Sequence, residues 1–135
     1  MTDDLPVPIQ NAESGPYWQA AKDGQLVMKC CNDCTAFRFI PQYFCPVCGS
    51  EEMTWKPVSG AGTVASFTRV HRAPIKAFRA KTPYMIALID LAEGPRMMAN
   101  IVGADADQIA IGDAVEVCFE PRGDIAVPQF QKAER

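Results

Sequence analysis

Two cysteine pairs, Cys31-x2-Cys34 and Cys45-x2-Cys48, separated by ten residues, constrain this chain more than any other feature. A two-residue gap lets both sulfurs of a pair face one ion, and two pairs complete a tetrahedral sulfur shell. The spacing therefore predicts a metal centre on Cys31, Cys34, Cys45 and Cys48 within a small zinc ribbon. A four-thiolate shell has no open position, so the ion can crosslink backbone but cannot activate water. Iron also accepts four thiolates, but the chain carries no second redox centre or cofactor motif to receive an electron. One structural Zn(II) is the expectation. Cys30 offers an alternative Cys-x3-Cys pair with Cys34; the two-residue spacing assigns Cys31. Gly49 follows the second pair, where a tight knuckle turn suits glycine, and Thr35 takes the equivalent place after the first.

Six cysteines in a secreted chain would suggest a disulfide scaffold. Here the N-terminus MTDDLPVPIQ has no basic segment leading into an apolar one, and no apolar run approaches membrane-spanning length. A cytoplasmic location and metal-binding thiols are expected, with no membrane contact. Cys30 and Cys118 are left over and read as small buried or half-buried hydrophobes. At 135 residues, 48% hydrophobic and 21% charged, the chain has globular composition and leaves room for a second fold beside the ribbon.

The formal charge of -3, which becomes about -5 when four thiolates and one Zn(II) are included, disfavours nonspecific adhesion to nucleic acid. The average hides an asymmetry. No acidic residue stands between Glu52 and Asp90, whereas Arg69, Arg72, Lys76, Arg79 and Lys81 fall within thirteen positions. Together with Phe78 they are candidates to contact phosphates and stack on a planar group. A solvated basic loop is the plainer reading of the same residues. Coenzyme A and single-stranded nucleic acid meet the recognition chemistry equally.

Along the chain, residues 1–24 read as an extended leader followed by a short helix over 16–23, entered at Pro16 and ended by Gly24. Tyr17, Trp18 and Ala21 must pack on something, either their own chain or a partner subunit, because so short a helix is unstable alone. Residues 25–57 hold the ribbon: a strand from Leu26 to Lys29, a second through Phe37, Phe39 and Ile40, and a return strand from Met53 to Lys56. Residues 58–135 then read as five longer strands, over 63–72, 84–91, 96–102, 114–120 and 125–130. Gly60 or Gly62 could accommodate a bulge, 73–83 forms a basic loop, and 103–111 holds at most one helical turn. Five strands joined mainly by tight turns suit a small closed or partly closed barrel. The fold class is thus mostly β.

No phosphate-binding glycine loop, dinucleotide fingerprint, His-Glu-x-x-His or Gly-x-Ser-x-Gly elbow occurs. His71 is the single histidine, beside Arg72 at a strand end, which suits structure or phosphate contact better than catalysis. Asp90 and Glu93 surround a turn, where acids are common. No catalytic residue is expected.

The segments PYWQAAKDGQLVMKCCNDC, FIPQYFCPVCGS, Trp55, GAGTVASFTRVHR, YMIALIDL and IGDAVEVCFE, in this order, resemble the DUF35 proteins. The resemblance implies a rubredoxin-like zinc ribbon plus an OB-fold, with Cys31, Cys34, Cys45 and Cys48 matching the metal ligands. It also implies a non-catalytic partner of thiolase-like acyltransferases, hydratases or aldolases acting on acyl-CoA, in some cases lining the path of coenzyme A. The departures are Thr35 for a usual glycine, Ile40-Pro41-Gln42 for a frequent double proline and basic residue, and the extra Cys30. An accessory subunit in a hetero-oligomer is therefore the expected role. A single-stranded nucleic-acid-binding module is the alternative, and a free-standing thioesterase or oxidoreductase would need a nucleophile or electron acceptor that the sequence does not display.

Overall fold

A computed structural model describes residues 6–9, 14–38 and 44–133. The expected continuation of the second ribbon strand through Phe39 and Ile40 lies outside these residues. Pro16 stands in the first turn of α1 (Gly15–Lys22), where its missing N–H costs nothing. The helix stops at Gly24, whose φ of 79° admits the left-handed turn in which Gly24 N–H bonds to Ala21 O and Gln25 N–H to Ala20 O, both at 3.0 Å. Tyr17 and Ala21 are buried, and the Tyr17 and Trp18 rings meet edge to face at 4.9 Å. The helix thus docks within its own chain, against the last strand of the barrel.

Three short strands follow: β1 (Val27–Cys31), β2 (Phe37–Arg38) and β3 (Met53–Pro57), all antiparallel in the order β2-β1-β3. Every residue of β1 is buried. That includes Lys29, whose ammonium lies 5.5 Å from the ring of Trp55, its direct cross-strand neighbour.

The remaining strands are β4 (Ala61–Val70), β5 (Tyr84–Leu91), β6 (Arg96–Ile101), β7 (Ala114–Arg122) and β8 (Ile125–Lys132). They close a barrel in the order β4-β5-β6-β8-β7, with β7 pairing back onto β4. Consecutive strands are antiparallel; the seam between β6 and β8 is parallel and carries the pair Ile101 and Phe130. In β5 strict alternation sends Met85, Ala87, Ile89 and Leu91 inward. Phe130 sits among them at 0% exposure.

Two local features depart from the sequence reading. The irregularity in β4 falls between Val64 and Ser66, one residue being inserted opposite Leu88 and Ile89, and not at either glycine. Gly62 serves close approach instead: a Cβ there would lie 2.7 Å from Ile89 Cγ2 and 2.9 Å from the Asp90 carbonyl oxygen. The basic loop also contains a one-turn helix, α2 (Lys76–Arg79). The turn foreseen in 103–111 is a 3₁₀ turn at Ala106–Gln108.

Leu26 and Met28 from the ribbon side and Val58 from the connection pack in the same apolar cluster as Val64, Ile89 and Phe130. The ribbon is therefore rooted in the barrel's core. Among the described residues no helix is long and apolar enough to cross a membrane.

Candidate metal centre

Both cysteine pairs sit on turns of the same construction. In the first, Thr35 N–H bonds to Cys31 O at 2.9 Å and Cys31 N–H to Ala36 O at 2.9 Å; in the second, Gly49 N–H bonds to Cys45 O at 2.8 Å and Cys45 N–H to Ser50 O at 2.7 Å. The residue after each pair is left-handed, Thr35 at φ 61° and Gly49 at φ 78°. The first knuckle places a β-branched residue where glycine is unstrained, which costs of order 1 kcal/mol. The Thr35 hydroxyl donates to Cys34 O at 2.6 Å and offsets part of this. We expect Gly49→Ala to weaken metal retention several-fold, through backbone strain of about 1 kcal/mol, because a Cβ at Gly49 meets nothing within 4 Å. Chelator competition measures it, and Thr35→Gly should move retention the other way.

The two turns bring the sulfurs of Cys31, Cys34, Cys45 and Cys48 within 4.8 Å of one another. Cys31 and Cys48 Sγ are 3.6 Å apart, as are Cys34 and Cys45 Sγ. A tetrahedron with metal–sulfur bonds of about 2.3 Å has edges of about 3.8 Å, so the donor set fits a zinc-sized ion. Cys30 does not join it: its Sγ turns to Cys31 O at 3.7 Å and Thr35 O at 3.6 Å. Successive strand residues face opposite sides, which separates Cys30 from Cys31.

The thiols titrate unequally. The Cys48 backbone N–H, followed by that of Val47 and the neighbouring sulfurs, outweighs burial and holds the Cys45 thiol down to about 6. Cys31 is likewise lowered, chiefly by the Cys34 backbone N–H. For Cys48 the Ser50 backbone N–H favours the thiolate, but Cys31, desolvation and the other two sulfurs together push it up to about 12. Cys34 is raised too, its Ala36 backbone N–H being outweighed by desolvation and by Cys31 and Cys45. In Cys31 and Cys45 backbone donors win and favour the thiolate, whereas in Cys34 and Cys48 hydrogen bonds to neighbouring sulfurs and desolvation win and hold the proton. A dication resolves that conflict, since all four ligands can then ionise.

The six basic-loop candidates do not converge on one point. Arg72 and Arg79 line an open cleft with His71, Ala73, Pro74 and Thr82. Arg79 spends two donors within the loop, its Nε on Ala73 O and its Nη2 on Pro74 O, both at 3.2 Å. Arg69 donates to Asp107 O at 3.1 Å. Phe78 and Lys81 face a separate recess beside Tyr84 and Arg122, and Lys76 is exposed on α2.

Asp90 forms a bidentate pair with Arg96 across the β5–β6 turn, at 2.6 and 3.1 Å, which holds its carboxyl below the usual range. Glu93 accepts from Ser59 N–H at 2.8 Å. Burial, then Glu120 and Glu116, pushes the Cys118 thiol up, away from reactivity. Sequence reasoning did not single out Arg122, which is half-buried on β7. It pairs with Glu120 at 2.7 Å, donates to Pro6 O at 3.2 Å and lies 6.0 Å from the Phe78 ring centre. Its role depends on three distant segments, and no local pattern marks it.

Comparison with known proteins matches residues 18–54 to the family description "ChsH2, rubredoxin-like zinc ribbon domain" and residues 55–120 to "ChsH2, C-terminal OB-fold domain". The chain is 35% identical to a probable enoyl-CoA hydratase alpha subunit of Thermomonospora curvata over 95% of its own length, but spans only 40% of that protein. It is 33% identical to a DUF35 domain-containing scaffold protein of Pyrococcus furiosus, over 75% of this chain and 74% of the relative. Among solved structures, a chain of the "Ltp2-ChsH2(DUF35) aldolase" superposes with a TM-score of 0.83 at 34% identity, over 95% of this chain and 100% of that one.

Proposed function

Because this chain belongs to the DUF35 family, with a ChsH2-type zinc ribbon followed by an OB-fold, we propose that it is a non-catalytic accessory subunit of an acyl-CoA-metabolising complex. Its catalytic partner is a thiolase-like acyltransferase or a related hydratase or aldolase, met in the cytoplasm. The observation that carries this reading is the end-to-end match to the DUF35 chain of an aldolase. In this reading residues 1–24 form the leader and helix, 25–57 the ribbon and 58–135 the barrel.

Cys31, Cys34, Cys45 and Cys48 hold one Zn(II), which supplies a crosslink and no reacting group. The barrel and its 71–83 loop lie against the partner, where His71, Arg72 and Arg79 meet an anionic group of coenzyme A. Acyl transfer, hydration or carbon–carbon cleavage is done by the partner's residues. Rigid placement of a substrate path is the contribution of this chain.

Co-expression with the acyl-CoA enzyme encoded beside it, followed by native mass spectrometry, tests the proposal. A hetero-oligomer carrying one zinc per copy of this chain is expected, with partner activity or stability falling when the subunit is omitted. A partner that is equally stable and active alone would overturn it.

A further inference from the structure

A cleft of about 350 Å³ lies between α1 and the barrel wall, clear of the metal centre and of the basic cleft. Trp18 of α1 forms one side. Phe78 and Tyr84, with ring centres 5.9 Å apart, form the other, and Met97, Met98 and Ile86 line it between them. Small-molecule sites run from roughly 300 to 1,000 Å³ and combine apolar walls with a few convergent polar groups. The two methionines add polarisable, adaptable surface.

Besides the hydroxyls of Tyr17 and Tyr84, the polar side chains here are Asn100, Gln129 and Arg122. Gln129 is 4% exposed; its Oε1 accepts from Asn100 N–H at 2.8 Å and its Nε2 donates to Asn100 Oδ1 at 3.2 Å. Asn100 Nδ2 donates to Met85 O at 2.9 Å. Both amide oxygens already accept a bond, whereas each NH₂ group has two protons and these bonds use one. Arg122, with its side chain 10% exposed, adds a guanidinium whose Nε is buried without a hydrogen-bond partner. The floor therefore carries surplus donors. Its charge is already balanced, because Glu120 pairs with Arg122 at 2.7 Å. A carboxylate or phosphate would bring a second anion to a neutralised arginine; a carbonyl oxygen would accept the spare N–H groups without that cost.

We propose that this cleft binds a neutral, apolar molecule bearing a carbonyl group. The apolar body lies against Trp18, Phe78 and Met98, and the carbonyl oxygen accepts from the spare side-chain N–H of Asn100 or Gln129. The inference stands apart from the accessory-subunit reading, since it uses neither the zinc nor the basic cleft. α2 separates the two clefts: Phe78 faces this one, and Arg79, next in sequence, faces the basic one.

The test is side-chain amide and indole NMR on the zinc-loaded full chain, titrated separately with acetophenone and with S-hexanoyl-N-acetylcysteamine, a neutral thioester without phosphates. Saturable shifts at the Asn100 and Gln129 NH₂ groups and the Trp18 indole are expected with at least one probe, and the preferred probe identifies the source of the carbonyl. Met98 is 63% exposed, so Met98→Glu should fold normally while weakening binding at least tenfold by placing a charge at the mouth. Unmoved Asn100, Gln129 and Trp18 resonances up to the probes' solubility limits would overturn the proposal. So would binding unchanged by Met98→Glu, or protection of Trp18 by the catalytic partner alone with no competition from either probe. Free coenzyme A serves as a separate arm: shifts confined to His71 and Arg72 would support the accessory reading while leaving this cleft without its ligand.

Discussion

Cys45→Ser is expected to reduce bound metal from one ion per chain to nearly none, and to abolish hydrogen-exchange protection over residues 30–56. Cys45 is fully buried, its backbone is bonded at both ends of its turn, and the backbone N–H groups of Cys48 and Val47 favour its thiolate. Among the described residues the sheet it closes is three-stranded, and the two strands β1 and β3 are five residues each. Such a sheet is marginal in water without help. A structural zinc contributes on the order of 10–16 kcal/mol in zinc-finger peptides near neutral pH, far more than these hairpins can replace.

The loss should stop at the root of the ribbon. Leu26, Met28 and Val58 belong to the barrel's apolar cluster and stay protected with it. Acid should act in the same direction. Binding requires four thiolates, and Cys34 and Cys48, both raised in the metal-free cluster, must give up protons for the ion. Affinity therefore rises with pH and falls as pH drops, which chelator competition at pH 8 and pH 6 would register. Undiminished protection of 30–56 after verified metal loss would show that the ion is dispensable.

The cysteine cluster and the five barrel strands were legible because each rests on a short-range pattern. Two-residue cysteine spacing fixes a knuckle almost alone, and the inward alternation of Met85, Ala87, Ile89 and Leu91 fixes β5. What the sequence did not disclose is set by partners far along the chain. The insertion at 64–66 depends on how β4 passes from Asp113 to Ile89. The Asn100–Gln129 pair and the cleft above it exist only because β8 returns parallel to β6. The basic loop was visible as composition, but composition could not reveal that Arg79 and Arg69 turn donors toward carbonyls of their own chain. Five like-charged residues in sequence became a smaller cleft and several separate side chains.

Phe130→Ala should be the most damaging single change in the barrel and should spare the metal. Phe130 is fully buried, pairs with Ile101 across the parallel seam and with Val117 on the other side, and its carbonyl accepts Val102 N–H at 2.8 Å. Truncating a buried phenylalanine costs about 3–5 kcal/mol, against roughly 5–15 kcal/mol for a whole domain. The ring fills the barrel at its closing strand, so a cavity there cannot collapse without opening the seam. α1 rests on the same strand and should loosen with it. The four sulfurs, by contrast, are held by turns that Phe130 does not touch. With Co(II) in place of zinc, visible absorption reports the knuckles while exchange at Met85 and Ile89 reports the barrel. In Phe130→Ala the second signal should collapse at much lower denaturant than in the parent chain, while the first persists. Loss of both at one denaturant concentration would mean that the shared cluster of Leu26, Met28 and Val58 couples ribbon and barrel into one cooperative unit, and the proposed division at residue 57 would then have no thermodynamic meaning.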